Sequence, residues 1–282
     1  MKILSIGAHQ DDNEFRVGGS AIKWLKAGHE VRFLSMCNGN GGHHIMTPEQ
    51  TSARRAKESA RVAEYLGIQY DIWSDIDDCT IMPTLELRWR TINYIREFAP
   101  DVVIAHRPND YHADHRASGQ LVQDASYLLT VPHTCPETPF MRKMPIILYN
   151  EDFFKCPPFK PTYMMDIGDV IDEKYKIADM NESQVYEWLP FNKCMEAPLD
   201  KEERYKWMIG IDINESTTDE EILSAPFCYA QRFAKSAIIY RDRLLEIYGE
   251  ERGRRIRFAE SFELCEYGRQ PDESFKKELF DL

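Results

Sequence analysis

The stretch KILSIGAHQDDNE, residues 2–14, decides the fold. Its first half is apolar and closes on Gly7, and its second half carries His9, Asp11 and Asp12. A short apolar run followed at once by polar residues predicts a buried strand over residues 3–8. Adjacent carboxylates repel each other and resist desolvation, so a compensating charge must lie close to Asp11 and Asp12.

Working outward, strand and helix signals alternate. A helix is expected over residues 18–26, closed by Gly28, then a strand over 31–37 and a flexible loop, NGNGGHH, over 38–44. Thr47-Pro48-Glu49-Gln50 supplies an N-cap, a proline in the first turn and a capping-box glutamine for a helix that runs to about Leu66 and stops at Gly67. Strands at 70–73, 102–105 and 146–149 alternate with helices at 85–98 and from about His112 to Leu129. Such alternation, with right-handed crossovers, predicts an α/β, Rossmann-like doubly wound fold: a mainly parallel sheet with helices on both faces. Beyond residue 150 the pattern is less regular, an elaborated C-terminal part. CPPFKP (156–161) reads as a loop, 169–180 and 228–248 as helices, 252–257 as a solvated basic turn and 258–267 as a late strand. No boundary is evident. The expectation is one domain over 1–282, with residues 1–150 as its core and 151–282 building the walls of a pocket.

The chain has 282 residues, 43% of them hydrophobic, and a net charge of −12. That charge argues against nucleic acid and anionic membranes as partners. No apolar run is long enough to span a bilayer, and the first residues become charged too early for a signal peptide, so a cytoplasmic location is expected. Seven scattered cysteines without a CxxC pair argue against disulfides and a cysteine zinc site. The sequence leaves the oligomeric state open.

The chemistry lies at two places. In the strand order 3-2-1-4-5, the tip of the first strand, with His9, Asp11 and Asp12, lies beside the tip of the fourth, followed by HADH (112–115). Ligands bind such sheets at that switch point. Two imidazoles and a carboxylate with an open fourth position suit catalytic zinc, one ion per chain, although iron(II) or manganese would accept the same donors. His9 and Asp12 can close on one ion, and Asp11 between them becomes a candidate general base. His115 is the third ligand in this reading. His112 projects alongside it towards substrate, and Asp114 can orient one of the two histidines.

AHQDDNE together with RPNDYHADHRA (107–117) resembles the LmbE-like, or PIG-L, family of zinc-dependent N-acetylglucosaminyl deacetylases. Further points of similarity are Gly18–Gly19, Arg55–Glu58, LGI (66–68), PDVV (100–103) and Ser183–Gln184. Gln10 and Ala113 stand where the family has prolines. The resemblance implies His9, Asp12 and His115 as zinc ligands, Asp11 as base, His112 as electrophilic partner and Asp114 as its orienter. It also implies Arg55 near the substrate; a helix-surface pair with Glu58 is an equal alternative. The implied activity is a metal-dependent amidohydrolase, a hydrolase of non-peptide C–N bonds, in which a zinc-bound water removes an N-acyl group, chiefly acetyl, from an amino sugar such as an N-acetylglucosamine derivative. An amidase for a thiol conjugate or secondary metabolite is the nearest rival. A non-catalytic nucleotide- or metal-binding module is the rival of another class. Tyr111, Trp73 and Trp188 are candidates for stacking on a sugar ring, or else core.

Overall fold

Lys2–Gly7 (β1), Glu30–Ser35 (β2), Gln69–Ile72 (β3), Val102–Ala105 (β4) and Ile146–Asn150 (β5) form a parallel array in a computed structural model that describes residues 1–214 and 216–281. Tyr163–Asp166 (β6) and Ala259–Leu264 (β7) complete one seven-stranded sheet in the order β3-β2-β1-β4-β5-β7-β6, with β7 antiparallel to both neighbours. The expected 3-2-1-4-5 order is present; β6 lies in a stretch the pattern had left as irregular.

The intervening helices are Asp12–Lys26 (α1), Pro48–Leu66 (α2), Leu85–Phe98 (α3) and Ala113–Leu128 (α4). The pleat explains the layering, because alternate residues of each strand face opposite sides. Ile3, Val31, Phe33, Val102, Ile104, Ile146 and Leu148 join one apolar core with α1. Leu4, Ile6, Leu34, Val103, Ala105 and Ile147 join the other with α3 and α4. Local signals set the helix ends. Thr47 and Gln50 make the reciprocal capping box, and Gly67 ends α2 in the left-handed region at φ 67°.

After β6 come Ile171–Asp179 (α5), one π-helical turn at Ser183–Trp188, and Leu189–Phe191 (α6), Lys201–Ile209 (α7) and Asp219–Ser224 (α8). Tyr229–Ile239 (α9), Arg241–Tyr248 (α10), Glu250–Arg255 (α11) and, following β7, Glu273–Leu279 (α12) complete the chain. Two expectations are corrected here. The single helix over 228–248 breaks at Tyr240, whose φ −107° and ψ 32° leave the helical region. The basic turn is instead mostly α11, held by Arg254–Glu250 and Arg255–Glu251 pairs one turn apart. All seven cysteines are free thiols. Among the described residues, no helix is long and apolar enough to cross a membrane.

Candidate metal centre and active site

The sheet places the two chemical motifs side by side. Ile3–Ile6 of β1 pair in register with Val102–Ala105 of β4, so the chain leaves both strands at the same edge. His9, Asp11 and Asp12 lie where β1 turns into α1. Asn13 pins that turn: its amide oxygen accepts from Ser5 Oγ at 2.7 Å and its Nδ2 donates to the Leu34 carbonyl at 3.1 Å. The turn is strained. Asp11 sits at φ 106°, a conformation that favours glycine and costs a non-glycine residue about 1–3 kcal/mol. On the β4 side, His112 caps α4, its Nδ1 accepting from the Asp114 N–H at 3.2 Å. That contact leaves Nε2 as the protonated nitrogen of a neutral His112.

His9, Asp12 and His115 meet. His9 Nδ1 lies 3.5 Å from Asp12 Oδ2, and His115 Nε2 lies 3.4 Å from Asp12 Oδ1. Each imidazole has its far nitrogen on carboxylates. His9 Nε2 faces Asp78 Oδ1 at 3.1 Å and Asp114 Oδ2 at 3.2 Å; His115 Nδ1 faces Asp110 Oδ1 at 3.0 Å. A carboxylate behind a histidine fixes the tautomer that presents a lone pair on the other side. The near nitrogens of His9 and His115 and the Asp12 carboxylate therefore form a donor set suited to a divalent cation.

Electrostatics point the same way. Burial opposes charge on His9, yet Asp114, Asp12 and Asp78 outweigh it and hold the imidazole well above its usual range. Burial likewise opposes charge on His115, and Asp12 and Asp110 outweigh it. Asp110, although buried, is pushed down to about 2 by His115. The surrounding carboxylates thus stabilise positive charge at the centre of the cluster, as a bound cation requires.

Four overlapping groupings of donors lie here: His9, His112 and His115; Asp12, His106 and His115; His9, Cys37, Asp78 and Asp114; and Asp78, Cys79 and His112. Cys37, with His9, Asp78 and Asp114, offers a thiol, but burial lifts that thiol to about 12, and it stays protonated. His106 comes within 3.1 Å of Asp12 Oδ2 and stacks on His115 at 4.0 Å between ring centroids. It is wholly buried and does not line the cleft, whereas His9, Asp12 and His115 do. Burial first, and then the charge of His115, push His106 down to about 4, a neutral buttress behind Asp12.

The cleft holds a cavity of about 150 Å³, below the ~300–1,000 Å³ range of small-molecule sites. Asp11, Asp78, Cys79, Gly41, Gly42 and Arg55 line it, with Tyr111, His112, Gln184 and Trp188. Asp11 is pushed up to about 6 by burial, against the pull of Arg55, whose Nη2 lies 3.1 Å from its Oδ1.

Two expectations change on contact with the geometry. Asp114 does not orient His112 through its carboxylate. Its side chain turns inward to His9 and to the Cys79 and Ile81 N–H groups, at 2.7 and 3.2 Å, because only buried donors satisfy a wholly buried carboxylate. Arg55 is not a surface partner of Glu58. It is buried and donates to the Gln10 and Gly39 carbonyls and to Asp11, while Glu58 pairs with Arg54 at 3.3 Å and accepts from Ser183. Arg55 still lines the cleft, so its placement is compatible with contact to substrate. Trp73 is core, with Arg90 over its face, whereas Tyr111 and Trp188 line the cleft. The glycine loop makes side-chain contacts at its end: His43 bonds Glu187 at 2.7 Å, and His44 stacks on Phe191.

The motif reading passed over Asp78, Asp110, His106, Arg16 and Arg232. Asp110 could have been found, since it sits within PNDYHADH, two residues before His112. The others carry no local signal. Gln184 and Trp188 reach the cleft from the π-helical turn, a geometry frequent at functional sites.

Fold and cluster together define a doubly wound α/β protein with a cation-ready centre at the switch point of its sheet. Residues 4–126 match the PIG-L family model, described as GlcNAc-PI de-N-acetylase. A diacetylchitobiose deacetylase of Thermococcus kodakarensis is 27% identical over 220 residues, 74% of this chain and 82% of that protein. Among solved structures, the N,N'-diacetylchitobiose deacetylase of Pyrococcus horikoshii in complex with an inhibitor aligns with a TM-score of 0.67 at 21% identity, covering 94% of this chain and 83% of its own. The 4-carboxy-2-hydroxymuconate hydratase of Pseudomonas putida KT2440 aligns with a TM-score of 0.68 at 17% identity, covering 96% and 98%. Those two alignments speak to the fold.

Proposed function

We propose that this protein is a metal-dependent deacetylase that removes an N-acyl group, in the first instance acetyl, from an amino sugar. The observation that carries the reading is the pair of histidines, each braced from behind by carboxylates, meeting on Asp12 with Asp11 beside them in the cleft. The PIG-L match over residues 4–126 and the similarity to a diacetylchitobiose deacetylase support the substrate class. His9, Asp12 and His115 would hold the ion, and zinc suits their donor set. When bound, a divalent ion there supplies Lewis acidity to an amide carbonyl and to water.

The protein's own groups do the rest. Asp11, pushed up to about 6, is ionised at neutral pH yet basic enough to take a proton from the attacking water. Arg55 holds that carboxylate in place. Burial lowers His112 below the usual imidazole range, and its Nε2–H donates to the developing oxyanion. A neutral His112 is poorly suited to give up a proton outright, so Asp11 returns the proton to the leaving nitrogen. Gln184, Tyr111 and Trp188 give the sugar an amide and two aromatic faces.

The test is amine release from a panel of N-acetylglucosamine derivatives by purified protein, with metal content measured in parallel. Release that depends on the metal and is abolished in Asp11→Asn is the expected result. Protein that holds stoichiometric metal and releases no amine from any member would overturn the reading.

A further inference from the structure

Acidic residues outnumber basic ones by 47 to 35, so an arginine without a carboxylate is informative. Two arginines of the cleft are in that state. Arg16 follows Asp12 by one turn of α1 and projects into the same cleft. Its guanidinium donates to the Glu151 backbone carbonyl, and among the described residues no carboxylate lies within ion-pair distance of it. Arg232, on α9, makes no side-chain hydrogen bond or ion pair among the described residues. It lies over the rings of Phe15, at 4.5 Å, and Tyr229, at 5.7 Å. Phe15 also lines the cleft, as do both arginines, which reach it from different helices.

Arg232 acts on Asp11, and Arg16 on Asp110, Glu151 and Asp152, only from beyond ion-pair distance. Arg55 already holds Asp11 at 3.1 Å, and Asp12 is matched by His115 and His106. A guanidinium offers five donors in a fixed fork suited to carboxylate and phosphate, and a half-buried one with most of those donors unused has room for such a partner. An aromatic face beneath it holds the fork in place without consuming its hydrogen bonds.

We infer that the substrate carries an anionic group, carboxylate or phosphate, which Arg16 and Arg232 receive beside Phe15 while the acyl group lies at the histidine cluster. The inference rests on the deacetylase reading of the cleft and narrows it to acidic amino-sugar derivatives. Each charge-assisted hydrogen bond formed on binding contributes a preference of about tenfold or more over a neutral analogue.

The test uses binding of products, which needs no turnover. Glucosamine, glucosamine 1-phosphate, glucosamine 6-phosphate and muramic acid are titrated calorimetrically into the metal-loaded protein and into Arg16→Gln, Arg232→Gln and Arg232→Lys. At least one anionic sugar should bind about tenfold tighter than glucosamine, and whether a phosphate or the carboxylate wins identifies the group. The preference should fall towards one in the glutamine variants and survive in part in Arg232→Lys, which keeps the charge. Unfolding temperatures show that the variants are folded. Equal binding of all four sugars would overturn the inference, as would a preference unchanged in both glutamine variants, since the metal would then be its source. Absence of amine release from acetylated sugars would instead sink the deacetylase reading and leave the binding result standing.

Discussion

Replacing Asp110 tests the proposed centre most directly, because there Asp110 would act on the metal only through His115. Its Oδ1 lies 3.0 Å from His115 Nδ1 and also accepts the His112 N–H at 2.9 Å. With Nδ1 protonated towards Asp110, His115 directs the Nε2 lone pair to the side of Asp12, 3.4 Å away. Loss of such an outer carboxylate weakens metal affinity by about 10–100-fold, or about 1.4–2.8 kcal/mol. Asp110→Asn keeps an acceptor oxygen and loses the charge, so it belongs near the tenfold end. Asp110→Ala loses both and belongs near the hundredfold end. Zinc dissociation constants, measured by competition with a chromophoric chelator, read this out. Asn109→Ala serves as a neighbouring control, since that side chain bonds the Cys156 carbonyl away from the cluster. The unfolding temperature of metal-stripped protein guards against a general loss of structure. If Asp110→Ala bound zinc within about twofold of the parent, His115 would not be a ligand through Nε2, and the proposed donor set would be wrong.

Asp11→Asn should retain metal and lose about 10²–10⁴ in kcat, the usual worth of a positioned base, and asparagine tolerates the φ of 106° that the turn demands; His115→Ala should lose the metal itself, which elemental analysis of both variants would reveal. Gly39→Ala should lower stability by about 1–3 kcal/mol in chemical denaturation, since Gly39 has φ 65° and a Cβ there would lie 2.3 Å from Gln10 Oε1 and 2.6 Å from Arg55 Nη1. Because Arg55 holds Asp11, kcat should fall as well; unchanged stability and rate would show that Arg55 is free to move. In alkylation followed by mass spectrometry at pH 8, exposed Cys156 and Cys194 should react first. Cys79, exposed too, should lag, since burial of the thiol and the neighbouring Asp78 carboxylate raise it to about 11. Its reactivity should climb between pH 8 and 10, as the thiolate fraction grows about tenfold per unit; equal labelling of all three at pH 8 would contradict that environment.

Much of the architecture is encoded locally. The run KILSIG, the Thr47–Gln50 cap and the apolar strands at 102–105 and 146–149 fix elements through nearest-neighbour physics, and their alternation leaves few ways to build a sheet. With β1 and β4 adjacent, the segments that carry His9, Asp12 and His115 leave the sheet at one edge, so the place of a candidate site was legible as well. What the sequence could not determine is the second layer. Whether Asp114 turns to His112 or to His9, and whether Arg55 faces solvent or Asp11, depends on which donors remain unsatisfied after the helices pack. The same holds for Arg16 and Arg232, which lie 216 positions apart yet line one cleft. A motif is written in consecutive residues. The charge balance around it is set by every chain segment that the fold brings near, and only the tertiary structure states which those are.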